Sequence, residues 1–361
     1  MSNVISAIGT ATPPFRFSQQ EVLKFMIEAH ELDSREASRL KKIYEVSGIE
    51  NRHSVIPDFE ASHTGNSFFN SSFPSTADRS MLYENEAWKI SKSAAENLFL
   101  NVNDFDPAEI THLITVSCTG MYAPGLDIDL IEKLGLSTST ERICINFMGC
   151  YGAFNALKAA DYICRAQLNA KVLIVDVELC TIHFQKQNSL NNWLANSLFS
   201  DGAAAVLVEP ESNRSTAKGF RLAGFYNLLV LEGKKEMSWR VGNTGFEMLL
   251  SSHVAKSIKG KIAEVTRSLL DKAKFSFKDV SRFAIHPGGR RILEVCEEAL
   301  ELPEEFLEHS YHVLKKFGNM SSATILFILQ QQLQEAQKGQ KLMGFAFGPG
   351  LTFESMILET V

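Results

Sequence analysis

The chain predicts an α/β fold: a mixed, mostly parallel sheet with helices on its faces. Two observations carry this. Short apolar, β-branched runs alternate with longer runs of helical period along the 361 residues. The second half then repeats the grammar of the first. Each half sets a chemically capable side chain at a helix N-terminus just after a glycine turn, Cys150 in one and Asn319 in the other. That repetition points to an internal duplication, with the polar segment 210–218 as its link.

The elements follow in order. Val4 to Thr10 reads as the first strand. Ser18-Gln-Gln-Glu21 is a capping-box pattern opening a helix to about Glu31, and a second helix spans Ser34 to Val46. Residues 54–80, rich in Ser, Asn and Phe with little period, read as a surface loop. A helix follows from about Glu84 to Leu100. His112 to Cys118 reads as a buried strand, then a Gly/Pro loop over 120–125 and a helix over 128–134. Arg142 to Asn146 reads as a short buried strand, and Tyr151 to Arg165 as a helix rich in Ala and Leu. Lys171 to Leu179 is another apolar, β-branched strand, Asn191 to Leu198 a short helix, and Ala203 to Val208 a strand. In the second half, Phe220 to Leu231 is strand-like, and helices cover 252–274 and 290–299 around a strand at 282–286. A helix just after Asn319 runs to about Gln337. Two strands, 342–347 and 352–359, lie on either side of Gly348-Pro349-Gly350.

Composition excludes several classes. The net charge is −6 without a basic stripe, which argues against nucleic acid as a partner. No apolar run reaches the ~18 residues of a membrane span. The N-terminus lacks a charged stretch followed by an apolar one, so a cytoplasmic protein is expected. Cys118, Cys144, Cys150, Cys164, Cys180 and Cys296 show neither Cys-x-x-Cys pairs nor zinc spacing. They read as reduced thiols, with no metal site.

Cys150 ends the run Arg142-Ile-Cys-Ile-Asn-Phe-Met-Gly-Cys150. Gly149 permits a tight turn, and the following helix points its free N–H groups at the thiol. That setting favours thiolate; the plainer reading is a buried core cysteine. His286 stands at the end of a strand before Pro287-Gly288-Gly289, and Asn319 follows Gly318 just before a helix, where a structural N-cap is the plainer role. Together they supply a nucleophile, a base and a donor to an oxyanion, the parts of acyl transfer.

Gly149-Cys150, His286-Pro-Gly-Gly289, Gly318-Asn-Met-Ser-Ser-Ala323 and Gly344-Phe-Ala-Phe-Gly-Pro-Gly-Leu-Thr352 occur in that order. This ordered set resembles the type III polyketide synthases, the chalcone synthase-like branch of the thiolase superfamily, from Ile5 to the last strand. The resemblance implies a thiolase-like five-layered α-β-α-β-α fold of two pseudo-duplicated halves, here 1–212 with the cysteine and 213–361 with the histidine and asparagine. It implies a homodimer and a catalytic set of Cys150, His286 and Asn319, with Cys150 and His286 as a thiolate–imidazolium pair. Acyl-CoA and malonyl-CoA are the implied substrates, with no cofactor. Phe199 matches an aromatic gate between the CoA tunnel and the cavity, and Phe246 a second cavity aromatic; core packing is the plainer reading of both. Arg39 and Lys42 match two basic CoA-tunnel positions, a third falling on Val46; a solvated helix face is the alternative.

The pocket positions depart from the plant chalcone synthase pattern. Cys118 and Thr119 replace two small polar residues, Ala123 a bulky Met, and Cys180 and His183 two threonines. Thr119, Ala123 and Cys180 together resemble bacterial long-chain alkylpyrone and alkylresorcinol synthases. The expected starter is therefore a fatty acyl-CoA and the product a pyrone or resorcinol. The competing view is that His183 and Tyr122 refill the space and select a short starter. Two rivals stand beside this reading: a β-ketoacyl-carrier-protein synthase III-like single condensation, and a catalytically dead acyl-binding scaffold.

Overall fold

A computed structural model describes residues 2–60, 67–69, 73–251 and 253–361. The first half comprises β1 (Asn3–Ala11), β2 (Phe15–Ser18), α1 (Gln19–Ala29), α2 (Ser34–Val46), β3 (Asn51–Ser54), α3 (Thr76–Phe99), β4 (His112–Ser117), α4 (Leu126–Leu134), β5 (Glu141–Asn146), α5 (Gly152–Ala166), β6 (Val172–Leu179), α6 (Leu190–Leu198) and β7 (Asp201–Pro210). The second comprises β8 (Phe220–Leu229), β9 (Met237–Gly242), β10 (Gly245–Leu250), α7 (His253–Ala273), β11 (Val280–Ile285), α8 (Arg290–Leu300), α9 (Glu308–Phe317), α10 (Thr324–Glu335), β12 (Lys341–Gly348) and β13 (Thr352–Thr360).

The main sheet runs β11-β12-β13-β8-β1-β7-β6-β4-β5. Outward from its middle, β1-β7-β6-β4 and β8-β13-β12-β11 have the same pattern: antiparallel, antiparallel, parallel. β5 is the extra strand of the first half. Among the described residues, the two runs pair as strands where Val4 and Ile5 face Arg221 and Phe220. Within this sheet, among the described residues, parallel pairing is thus confined to β4–β5, β4–β6 and β11–β12, which corrects the expectation of a mostly parallel sheet. The physical reason lies in short returns such as the turn from β12 to β13, which permit only antiparallel neighbours.

Three apolar cores define the layers. The period-2 alternation of the strands sends Val172 and Ile174 of β6 to one face and Leu173 and Val175 to the other. The inner faces of both runs close on α5 and α10, through Phe154, Leu157, Ile325 and Leu326. The outer face of the first run packs on α3, through Ile90, Ala94 and Leu98. That of the second packs on α7, through Ile258, Ile262 and Leu269. The order is helix, sheet, helix, sheet, helix. Among the described residues, no helix is long and apolar enough to cross a membrane.

Several sequence-based boundaries move. α3 starts at Thr76 rather than about Glu84, capped by Ser75. The described part of the predicted 54–80 loop is not merely surface: Phe59 is buried, and Phe69 packs on Phe59 and Phe184. Residues 61–66 and 70–72 of that loop lie outside the described residues. β5 is not buried: it is the sheet edge, with Glu141 to Cys144 exposed. The strand over 171–179 is not uniformly apolar, because Asp176 and Glu178 sit fully buried on its inner face. The β9–β10 hairpin and α9 carried no sequence expectation.

Candidate active site

Three junctions meet at the middle layer: Cys150 and His286 follow strands β5 and β11, whereas Asn319 lies between helices α9 and α10. At the first, Gly149 has φ +90°, and a Cβ there would come within 2.2 Å of Pro349 Cδ. Only glycine lets the β12–β13 turn press so closely on the turn that presents Cys150. The Gly149 N–H donates to Cys118 Sγ at 2.9 Å. At the second, the His286 N–H extends the β11–β12 ladder by donating to the Phe345 carbonyl at 2.8 Å. At the third, the Asn319 N–H donates to the Leu198 carbonyl, and the Ser200 N–H to the Asn319 carbonyl, both at 2.9 Å. This parallel bridge fixes Asn319 beside Phe199, across the two halves.

The side chains converge. Cys150, His286, Asn319 and Phe199 line one cavity of about 350 Å³. Its other walls are largely apolar, including Leu194, Met237, Leu250, Val254 and Ile258, and Arg290 and Arg291 of α8 also face it. The Ser321 hydroxyl donates to Cys150 Sγ at 3.7 Å. Asn319 does not cap α10. Its Oδ1 accepts from the Ser321 N–H at 2.9 Å, and its Nδ2 donates to the Gly288 carbonyl at 3.3 Å. His286 is 1% exposed, and neither ring nitrogen has a hydrogen-bond partner.

Burial works against the expected ion pair. Burial pushes the Cys150 thiol up to about 12; the Ser321 hydroxyl opposes that shift and the Glu178 carboxyl adds to it. Burial alone lowers His286 to about 3. Burial thus favours a thiol and a neutral imidazole in the resting site. Desolvation of both groups outweighs the field of α5, which begins only at Gly152.

Two smaller recesses adjoin the cavity. One of about 20 Å³ is lined by Cys118, Thr119, Cys150, Cys180 and Phe199. The other, about 40 Å³, is lined by Cys180, His183, Phe199 and Phe246. Phe199 thus belongs to all three spaces. His183 is clamped: its Nε2 lies 2.7 Å from the Thr119 carbonyl, and its Nδ1 accepts from the Phe246 N–H at 3.0 Å. Its ring stacks on Phe246, centroids 4.2 Å apart. Burial lowers its pKa to about 3, so it is neutral and donates through Nε2.

Three predicted residues stay outside these spaces. Ala123 is exposed, because its loop leaves β4 toward the β5 edge, where Tyr122 donates to Asp129 at 2.5 Å. Arg39 and Lys42 are exposed on α2, and it is Ile43 and Val46 of that helix that reach the cavity. In turn, the sequence reading passed over Arg290, Arg291 and the hairpin residues Met237, Trp239 and Met248. The arginines stood in plain sight after His-Pro-Gly-Gly. The turn run Gly242-Asn-Thr-Gly245 was the usable signal for the hairpin.

Residues 2–212 match the N-terminal domain of the chalcone and stilbene synthases, and residues 225–361 match the C-terminal domain. The chain therefore belongs to the chalcone and stilbene synthase family, and is a type III polyketide synthase, an enzyme of acyltransferase type. It is 28% identical over 363 residues to the alpha-pyrone synthesis polyketide synthase-like Pks18 of Mycobacterium tuberculosis, covering 99% of this chain and 91% of that one. The C-terminal type III polyketide synthase domain of Steely1, a type I/III hybrid from Dictyostelium, superposes with a TM-score of 0.92 at 26% identity, with both chains fully covered (100% each). PKS-I from the brown alga Ectocarpus siliculosus gives 0.93 at 28% identity, covering 100% of this chain and 98% of that one.

Proposed function

We propose that this enzyme condenses an acyl-CoA starter with malonyl-CoA by decarboxylative Claisen chemistry at Cys150, His286 and Asn319. The supporting observation is their meeting in one cavity, with both His286 nitrogens free of protein partners. The neutral imidazole takes the thiol proton as sulfur bonds to the thioester carbon, and CoA leaves as its thiol with that proton. Malonyl-CoA then loses carbon dioxide, and the electron pair passes to the thioester oxygen as an enolate. A ring N–H of His286 and the Asn319 amide donate to that oxygen. The enolate carbon attacks the acyl-cysteine and the thiolate departs. None of these steps calls on a metal or redox cofactor.

The starter we propose is fatty acyl, its chain held in the apolar cavity. Arg290 and Arg291, rather than Arg39 and Lys42, then meet the CoA phosphates. A short starter is the second reading, favoured by the clamped His183 filling the space beside Cys180. Product analysis over starters from acetyl- to palmitoyl-CoA separates them: preference for acetyl or aromatic starters overturns the first. Several extensions from free malonyl-CoA distinguish a polyketide synthase from a single condensation on a carrier protein. Acylation of Cys150 by none of the starters would make the chain a scaffold. We further propose a cytoplasmic homodimer joined near the exposed β5 edge, where Met121, Ile128, Ile143 and Met148 are exposed. The working units are read as 1–212 and 213–361.

A further inference from the structure

Asp176 and Glu178 are fully buried, each 0% exposed, on the inner face of β6. One hydroxyl lies between them: Ser322 Oγ is 2.8 Å from Asp176 Oδ1 and 2.7 Å from Glu178 Oε1. A serine hydroxyl has a single hydrogen, so it can donate to only one of two carboxylates. The other contact demands a protonated carboxyl that donates to the serine oxygen. The remaining partners say which one. Glu178 Oε2 accepts from the Cys118 N–H and the Thr119 hydroxyl, both at 2.9 Å. The Thr119 oxygen also accepts from the Leu179 N–H at 2.8 Å, and its other hydroxyl neighbour, Ser117 Oγ, is farther away at 3.4 Å. Asp176 Oδ2 has no partner at all.

We propose that Asp176 is a positioning residue that keeps its proton at neutral pH and donates through Ser322 to an ionised Glu178, so that the pair carries one charge beside Cys150. Burial pushes both carboxyls up, and Glu178 pushes Asp176 further. No cation contacts either group among the described residues. The titratable neighbours are Tyr83, Cys118, Cys150 and Cys180, all held neutral by burial, and the carboxyl of Asp201 beside Leu179. The singly charged pair has a mechanical role. Glu178 fixes the Cys118–Thr119 wall, and Cys118 Sγ holds the Gly149 N–H next to the nucleophile. Raising the pH removes the Asp176 proton. Ser322 then has one hydrogen for two carboxylates, and the added charge opposes formation of a thiolate at Cys150.

This rests on Cys150 as the acylated residue, so the test reads the pair by two routes. The first needs no catalysis: the infrared difference between the resting wild type and Asp176→Asn at pH 7. Loss of a carboxylic-acid C=O band supports the proposal; loss of a carboxylate band overturns it. The second is acylation of Cys150 against pH. Asp176→Ala lowers the rate at pH 7 about tenfold, the scale of one unserved buried hydrogen-bonding group. Asp176→Asn, which can still donate to Ser322, recovers most of that loss and lacks the alkaline fall of the wild type. Equal damage by both substitutions, or an alkaline fall kept in Asp176→Asn, overturns it. If no acyl-CoA acylates the wild type, the nucleophile assignment fails while the infrared result still decides the proton.

Discussion

Alkylation of the resting enzyme tests the neutral thiol. With a pKa of about 12, Cys150 is ionised at pH 7 to roughly one part in 100,000, since each unit is a factor of ten. A free cysteine of pKa ~8.5 is ionised to a few per cent there. Iodoacetamide should thus label Cys150 about a thousandfold more slowly than an ordinary free thiol. The sign follows from the raised pKa: the thiolate fraction grows as pH rises toward it. Between pH 6 and pH 8 the labelling rate should climb about a hundredfold. His286→Ala should leave this slope unchanged, because an imidazole lowered to about 3 carries no charge in that range, yet it should abolish acylation by acyl-CoA. Peptide mass spectrometry after timed quenching gives both rates and separates Cys150 from the exposed Cys144. Fast labelling, flat from pH 6 to pH 8 and lost in His286→Ala, would refute the argument from burial and restore the ion pair.

Asn319→Ala should slow malonyl-CoA decarboxylation by about 100–1,000-fold with Cys150 acylation less affected, read by carbon dioxide release against single-turnover acylation. His183→Ala unserves the Thr119 carbonyl and the Phe246 N–H and should cost about 1–3 kcal/mol of stability, measured by denaturant unfolding. It should also shift starter preference toward bulkier acyl groups; an unchanged preference would show that His183 does not bound the acyl site. Gly149→Ala places a methyl against Pro349 in a left-handed backbone and should cost at least about 1–3 kcal/mol, with a matching loss of acylation. Wild-type stability and rate in that variant would mean that the turn yields freely.

The junctions were legible because glycine and proline punctuate them: Gly149, Pro287-Gly288-Gly289 and Gly318 each mark a change of direction next to a functional side chain. Other features were hidden by chemistry that local patterns do not register. α9 buries His309 and Ser310 alongside Val313 and Leu314, so its apolar period is broken by polar letters. The start of α3 was announced by Ser75 and Asp78, a capping box that closes with aspartate rather than the more familiar glutamate. β5 has the composition of a core strand, but its place at the end of the sheet leaves it bare, and only topology reveals that. Arg39 and Lys42 were assigned by analogy, whereas the direction of a side chain around α2 depends on how that helix is docked. Asp176 and Glu178 lie inside a run that reads as apolar and β-branched. Their significance appears only once Ser322, far along the chain, is seen between them.

The bridge that ties Phe199 to Asn319 joins a residue of one repeat to a residue of the other. The reaction centre is consequently a property of the seam. Either repeat alone would carry half the tools, a sulfur without its proton acceptor or an amide without anything to stabilise, and only half of the core that Phe154 and Leu157 share with Ile325 and Leu326.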